Sequence, residues 1–74
     1  MTINDLPELE IGSNGLAVYI MQAALKYKGV LHEEKLTGNF DLPTFDALRE
    51  FRKQHYLTGN TICDALTWRE LLKE

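Results

Sequence analysis

Apolar side chains return at helical spacing in three stretches of the chain, and the residues between those stretches break the rhythm. In the middle stretch Thr44, Ala47, Leu48, Phe51 and His55 follow the i, i+3, i+4, i+7, i+11 series, with Asp46, Arg49, Glu50 and Lys53 opposite. Such spacing gives one buried and one wet face. Asp41 stands where an N-cap belongs, and Pro43 falls in the first turn, where no N–H is needed. A helix is therefore predicted over about 42–55.

Before it, Val18, Met21 and Leu25 form the core stripe of a helix predicted over about 14–28. Ser13 or Asn14 is expected to accept from its first free N–H groups, and Gly29 supplies a left-handed stop. The segment VLHEEKLTGNF at 30–40 has no sustained period and reads as a loop. After the second helix, LTGN at 57–60 turns the chain. Asp64 then caps a short third helix, about 65–73, whose inward stripe is Trp68, Leu71 and Leu72.

One pattern is written twice. DLPTFDAL at 41–48 and DALTWREL at 64–71 both fit Asp-x-x-Thr-aromatic-x-x-Leu, with Phe40 and Cys63 as apolar residues just ahead. Each copy starts a helix: the Asp caps, the Thr occupies the first turn, and the aromatic and Leu project toward a shared core. The expected fold is all-α, a compact three-helix bundle spanning 12–74, with residues 1–11 as an N-terminal arm packing on it.

Helix 1 carries a second apolar stripe, Leu16, Ile20, Ala23 and Tyr27, almost opposite the first. Two occupants are open. The arm covers it with Ile3, Leu6, Leu9 or Ile11, or the stripe is a partner interface for another copy or a linked catalytic domain.

Composition narrows the function classes. With 74 residues, 45% of them hydrophobic and 26% charged, the chain is a single globular unit too small for a large catalytic cleft. A net charge of -3 removes the domain-wide basic surface that nucleic acid requires. No apolar run approaches the roughly 20 residues needed for membrane insertion, and the N-terminal MTINDLPELE lacks the basic start and apolar centre of a secretion signal. The lone Cys63 has no disulfide partner, and His32 and His55 sit on different elements without further ligands at metal spacing, so no metal site or cofactor is expected. Glu33 and Glu34 are adjacent loop residues and read as a solvated pair; no catalytic residue is assigned.

Taken with its glycines, the sequence resembles the small helical peptidoglycan-binding domain family attached to bacterial and phage cell-wall hydrolases. Gly12, Gly15, Val18, Met21, Gln22, Leu25 and Gly29 follow the first half of the family pattern at its spacing. Thr37, Gly38, Phe40, Asp41, Thr44, Ala47, Leu48, Phe51 and Arg52 follow the second, and Thr67, Trp68 and Leu71 look like its closing Thr-Trp-x-x-Leu. Asp41 and Asp64 stand where the family usually has Gly, Arg52 where it has Gln, and Tyr56 where a Gly commonly ends the middle helix. A left-handed stop would strain a Tyr, so that helix is expected to end by another route.

The resemblance implies a non-catalytic module that binds peptidoglycan, through its glycan or its stem peptide, and delivers a linked hydrolase or assembly to the wall. A shallow groove for such a polymer needs hydrogen-bonding side chains and an aromatic for the sugar face. Gln22, Gly38, Asn39, Asp41, Thr44, Arg52 and Tyr56 are the candidate ligand residues.

Overall fold

The computed structural model describes residues 6–73. Three helices follow in order, α1 (Leu16–Tyr27), α2 (Leu42–Gln54) and α3 (Ala65–Leu71), with α1 packed against both others. Among the described residues there is no strand, only the isolated antiparallel bridges Leu9 to Cys63 and Asn14 to Asn39.

α1 begins two residues later than the spacing predicts, and neither Ser13 nor Asn14 caps it. Its N-cap is Gly15, at φ 116 and ψ -168, with no side-chain cap bond. The reason lies in competing hydrogen bonds. Gly12 N–H donates to Phe40 O (3.0 Å), Phe40 N–H to Ser13 O (2.8 Å) and Gly15 N–H to Gly38 O (2.8 Å), which holds 12–15 against the segment ahead of α2. Ser13 Oγ accepts from Glu10 N–H instead. Gly38 is held at φ 76, the left-handed region that glycine enters without strain.

The other two caps are the duplicated aspartates. Asp41 and Asp64 accept from the N–H groups of Thr44 and Thr67 respectively, each three residues on. The helix ends also match each other. Gly29 N–H and Val30 N–H donate to Lys26 O and Leu25 O, while Tyr56 N–H and Leu57 N–H donate to Lys53 O and Arg52 O. These are two Schellman stops. At the second, the left-handed position is filled by Tyr56 at φ 59, so α2 ends by the strained route that the sequence argues against.

The core gathers Val18, Met21 and Leu25 from α1, Ala47, Leu48 and Phe51 from α2, and Trp68 and Leu71 from α3. Leu31 and Phe40 join from the connection between α1 and α2, and Cys63 from the turn before α3. Two expected stripe members lie outside it. His55 is the exposed C-cap of α2, its ring 4.2 Å from that of Phe51, and Leu72 is the exposed C-cap of α3 because that helix stops at Leu71.

The described part of the arm goes elsewhere than to the second stripe of α1. Leu9 is buried and exchanges backbone hydrogen bonds with Cys63 (3.1 and 2.8 Å), and the Trp68 indole N–H donates to Pro7 O at 2.8 Å. Ile11 is exposed, and Ile3 lies outside the described residues. Leu16 and Tyr27 stay 75% and 85% exposed.

Candidate functional site

The twice-written pattern builds the same polar relay twice. Gln22, from α1, donates through Nε2 to Thr44 Oγ1 at 2.8 Å, and Thr44 Oγ1 donates to Asp41 Oδ1 at 2.8 Å. Arg52, from α2, donates through Nη1 to Thr67 Oγ1 at 2.6 Å, and Thr67 Oγ1 donates to Asp64 Oδ1 at 2.8 Å. In each case a helix lends a buried donor to the cap of the helix that follows. Each Asp accepts from both the Thr N–H and the Thr hydroxyl, and among the described residues no buried side-chain polar atom is left unpaired.

The two relays differ in charge. The first is carried by a neutral amide, whose Oε1 also accepts from Gly38 N–H (2.9 Å) and Thr37 N–H (3.2 Å) while Nε2 reaches Asn39 O (3.0 Å). The second is carried by a guanidinium that also donates to the carbonyls of Ile62 and Thr58 (each 3.1 Å) and stands 3.3 Å from Asp64. Burial would raise the pKa of Asp64, but the Thr67 N–H and hydroxyl and then the Arg52 charge outweigh it, holding the carboxyl below its usual range.

Four of the proposed ligand residues are thus occupied inside the fold. Gln22, Thr44 and Arg52 are buried, and the Asp41 carboxylate serves its own cap. Gly38, Asn39 and Tyr56 remain at the surface, but in two different places.

Thr37, Gly38 and Asn39 line an open groove of about 470 Å³ together with Asn14, Leu16 and Tyr19, and Asn14 and Asn39 are bridged neighbours within it. Gln22 lies beneath and fixes the backbone of 37–39 through both ends of its amide. Amides, a hydroxyl and a half-exposed Tyr19 ring are what a hydroxyl- and amide-bearing sugar strand would need. Sequence reasoning missed Tyr19, Asn14 and Leu16 here. Tyr19 belongs to neither apolar stripe of α1, and that position outside both was the available signal. Leu16, assigned to the partner stripe, proves to line the groove as well.

Tyr56 sits in a second groove, of about 460 Å³, at the C-terminal end of α2 with Arg49, Lys53, Leu57, Thr58 and Thr61. Nothing in either groove supplies a nucleophile with a base. Cys63 is fully buried, and burial, reinforced by the Asp64 charge, pushes its thiol far above the ordinary range despite Arg52. Among the described residues no three His, Cys, Asp or Glu side chains gather to hold a metal ion, and no helix is long and apolar enough to cross a membrane.

The model of the peptidoglycan binding domain family matches residues 14–71. The chain belongs to that family. The crystal structure of the SleB N-terminal domain is similar throughout, with a TM-score of 0.85 and 29% sequence identity over 92% of each chain. Among curated proteins none matches. Membership in a family of peptidoglycan binding domains implies peptidoglycan as the ligand, and the three-helix architecture expected from the spacing is that of the SleB domain. In this peptidoglycan-binding domain the matched region runs from Asn14, which lines the first groove, to Leu71, the last core residue of α3.

Proposed function

We propose that this domain is a non-catalytic wall-attachment module that holds the peptidoglycan glycan in the Asn14–Tyr19–Asn39 groove and carries a linked hydrolase or assembly to the wall. The observation that supports this reading most directly is the support under that groove. Gln22 is buried, yet its amide makes four hydrogen bonds to residues 37–39, so the exposed Thr37 and Asn39 and the half-buried Gly38 are presented on a fixed backbone. A preorganised polar edge in one groove with an aromatic ring loses less entropy on binding than a mobile loop does. Weak affinity suffices for such a role, because tethering raises the encounter of a linked enzyme with an insoluble polymer.

The test is retention on purified sacculi. The domain should co-sediment with them, and Tyr19→Ala or Asn39→Ala should abolish co-sedimentation while the circular dichroism melt stays unchanged. Undiminished retention by both variants would overturn the groove, and no retention of the parent domain would overturn the function.

A second reading has one observation in its favour. Tyr27 and Ile20 remain exposed beside Ala23 on α1, so a protein-interaction module using that stripe would present it freely. A domain that ignores sacculi but sediments as a dimer would favour it.

A further inference from the structure

We propose that the groove at the C-terminal end of α2 is a second ligand site, one that takes the free carboxylate end of a short peptide. It uses none of the residues of the glycan groove and stands or falls apart from it.

The argument begins with charge. The chain holds 11 acidic and 8 basic residues, yet this groove collects Arg49, Arg52 and Lys53 and no acid at all. The Arg52 guanidinium is turned inward onto Thr67, Asp64 and two carbonyls. Arg49 and Lys53, one turn apart on α2, are therefore the cations open to a ligand. Arg49 has an exposed 3.5 Å contact with Asp46, weak enough for an incoming carboxylate to displace.

Chemistry beyond charge comes from the rest of the lining. Tyr56, Leu57, Thr58 and Thr61 line the groove beside the cations, so apolar and aromatic surface adjoins the charge. A planar carboxylate matches the fork of an arginine, and the side chain next to a peptide terminus supplies apolar atoms for that surface. A bare phosphodiester has none to offer.

Tyr56 is the residue that the fold does not account for. Lysine and arginine in the last turn of α2 favour the helix dipole whatever else they do. By contrast, a Gly or Asn would end the helix without strain at the position where Tyr56 is held at φ 59, and its side chain is left 90% exposed. Strain retained to display an aromatic beside two solvent-exposed cations points to a ligand.

The experiment is an NMR titration of the ¹⁵N-labelled domain with N-acetyl-alanyl-alanine and, separately, with its C-terminal amide. The free acid should shift the amide signals of 56–61, and the amide should not. Arg49→Ala combined with Lys53→Ala should weaken binding about tenfold, the loss expected for two exposed charge contacts. Tyr56→Gly should weaken binding while raising the melting temperature, a split that a purely structural residue would not give. Equal shifts from acid and amide, no shifts from either, or unaltered binding by Tyr56→Gly would each overturn the site. Failure here leaves sacculus retention through Tyr19 untouched, and failure there leaves this titration untouched.

Discussion

Arg52 Nη1 lies 2.6 Å from Thr67 Oγ1, and that hydrogen bond joins the end of one helix to the start of the next. The guanidinium is nearly inaccessible, its side chain 8% exposed, and it satisfies the carbonyls of Ile62 and Thr58 in the same turn. Removing it takes the donor from the buried Thr67 hydroxyl and from two part-buried carbonyls, and the partner from the Asp64 charge. Arg52→Ala should therefore cost about 2 to 3 kcal/mol, the range for leaving a buried acceptor and a half-buried charge without their donor. Arg52→Gln, the residue the family usually places here, keeps a donor for Thr67 and should cost about 1 kcal/mol. Urea unfolding of the two variants checks the ordering.

The same relay sets the acid stability. The Asp64 carboxyl is held below its ordinary range in the fold, so its contribution is fully present above the unfolded carboxyl pKa of about 3.9. It is lost as pH falls through the lower, folded value. Asp64→Asn keeps an N-cap but not the charge, and should be less stable near neutrality with a flatter decline below about pH 4. Glu70 is also lowered, chiefly by its hydrogen bond from Lys73, but that ammonium is exposed and solvent screens the pair. A urea midpoint plotted against pH distinguishes the two: the acid limb should flatten in Asp64→Asn and not in Glu70→Gln.

Tyr56 gives the opposite kind of prediction. A left-handed backbone costs a non-glycine residue about 1 kcal/mol, and the exposed ring returns little packing. Tyr56→Gly and Tyr56→Asn should both raise stability, by up to about 1 kcal/mol, and differential scanning calorimetry would show it as a higher Tm.

Much of this fold was legible because helix stripes and Asp caps act locally. Thr44, Ala47, Leu48 and Phe51 are buried where a 3.6-residue period puts them, and Asp41 and Asp64 cap as placed. The start of α1 was not legible, since Ser13 and Asn14 are drawn into pairing with a segment some 25 residues away. Nor was the fate of Gln22 and Arg52. Both are polar residues on helices, which suggests display, and only the tertiary arrangement shows that each reaches under a neighbouring cap. The groove residues Asn14, Tyr19 and Thr37 come from two separate segments, and no spacing along one helix could have joined them.

Gln22 links stability to binding. Gln22→Ala leaves the N–H groups of Gly38 and Thr37 without their acceptor, which should cost about 1 to 3 kcal/mol and loosen the groove wall. Sacculus retention should fall together with protection of those amides in hydrogen exchange. Tyr19→Ala, by contrast, should lose retention with exchange unchanged. A Gln22→Ala variant with loosened amides and full retention would separate the groove from the function.

The second stripe of α1 allows a sharp test, because the described part of the arm leaves it uncovered. Tyr27 is 85% exposed and Ile20, at 36%, rests only on the rim of the fold; neither belongs to the buried core. Replacing both by Lys should change stability by no more than about 0.5 kcal/mol for each site, as at other surface positions. A larger loss would mean that something within the chain covers them. The same variant divides the two functional readings: a module that works through the Tyr19 groove keeps its sacculus retention and its sedimentation coefficient. One that works by protein contact loses its association while its fold persists, and equilibrium sedimentation of the parent and the doubly substituted domain at matched concentrations measures which it is.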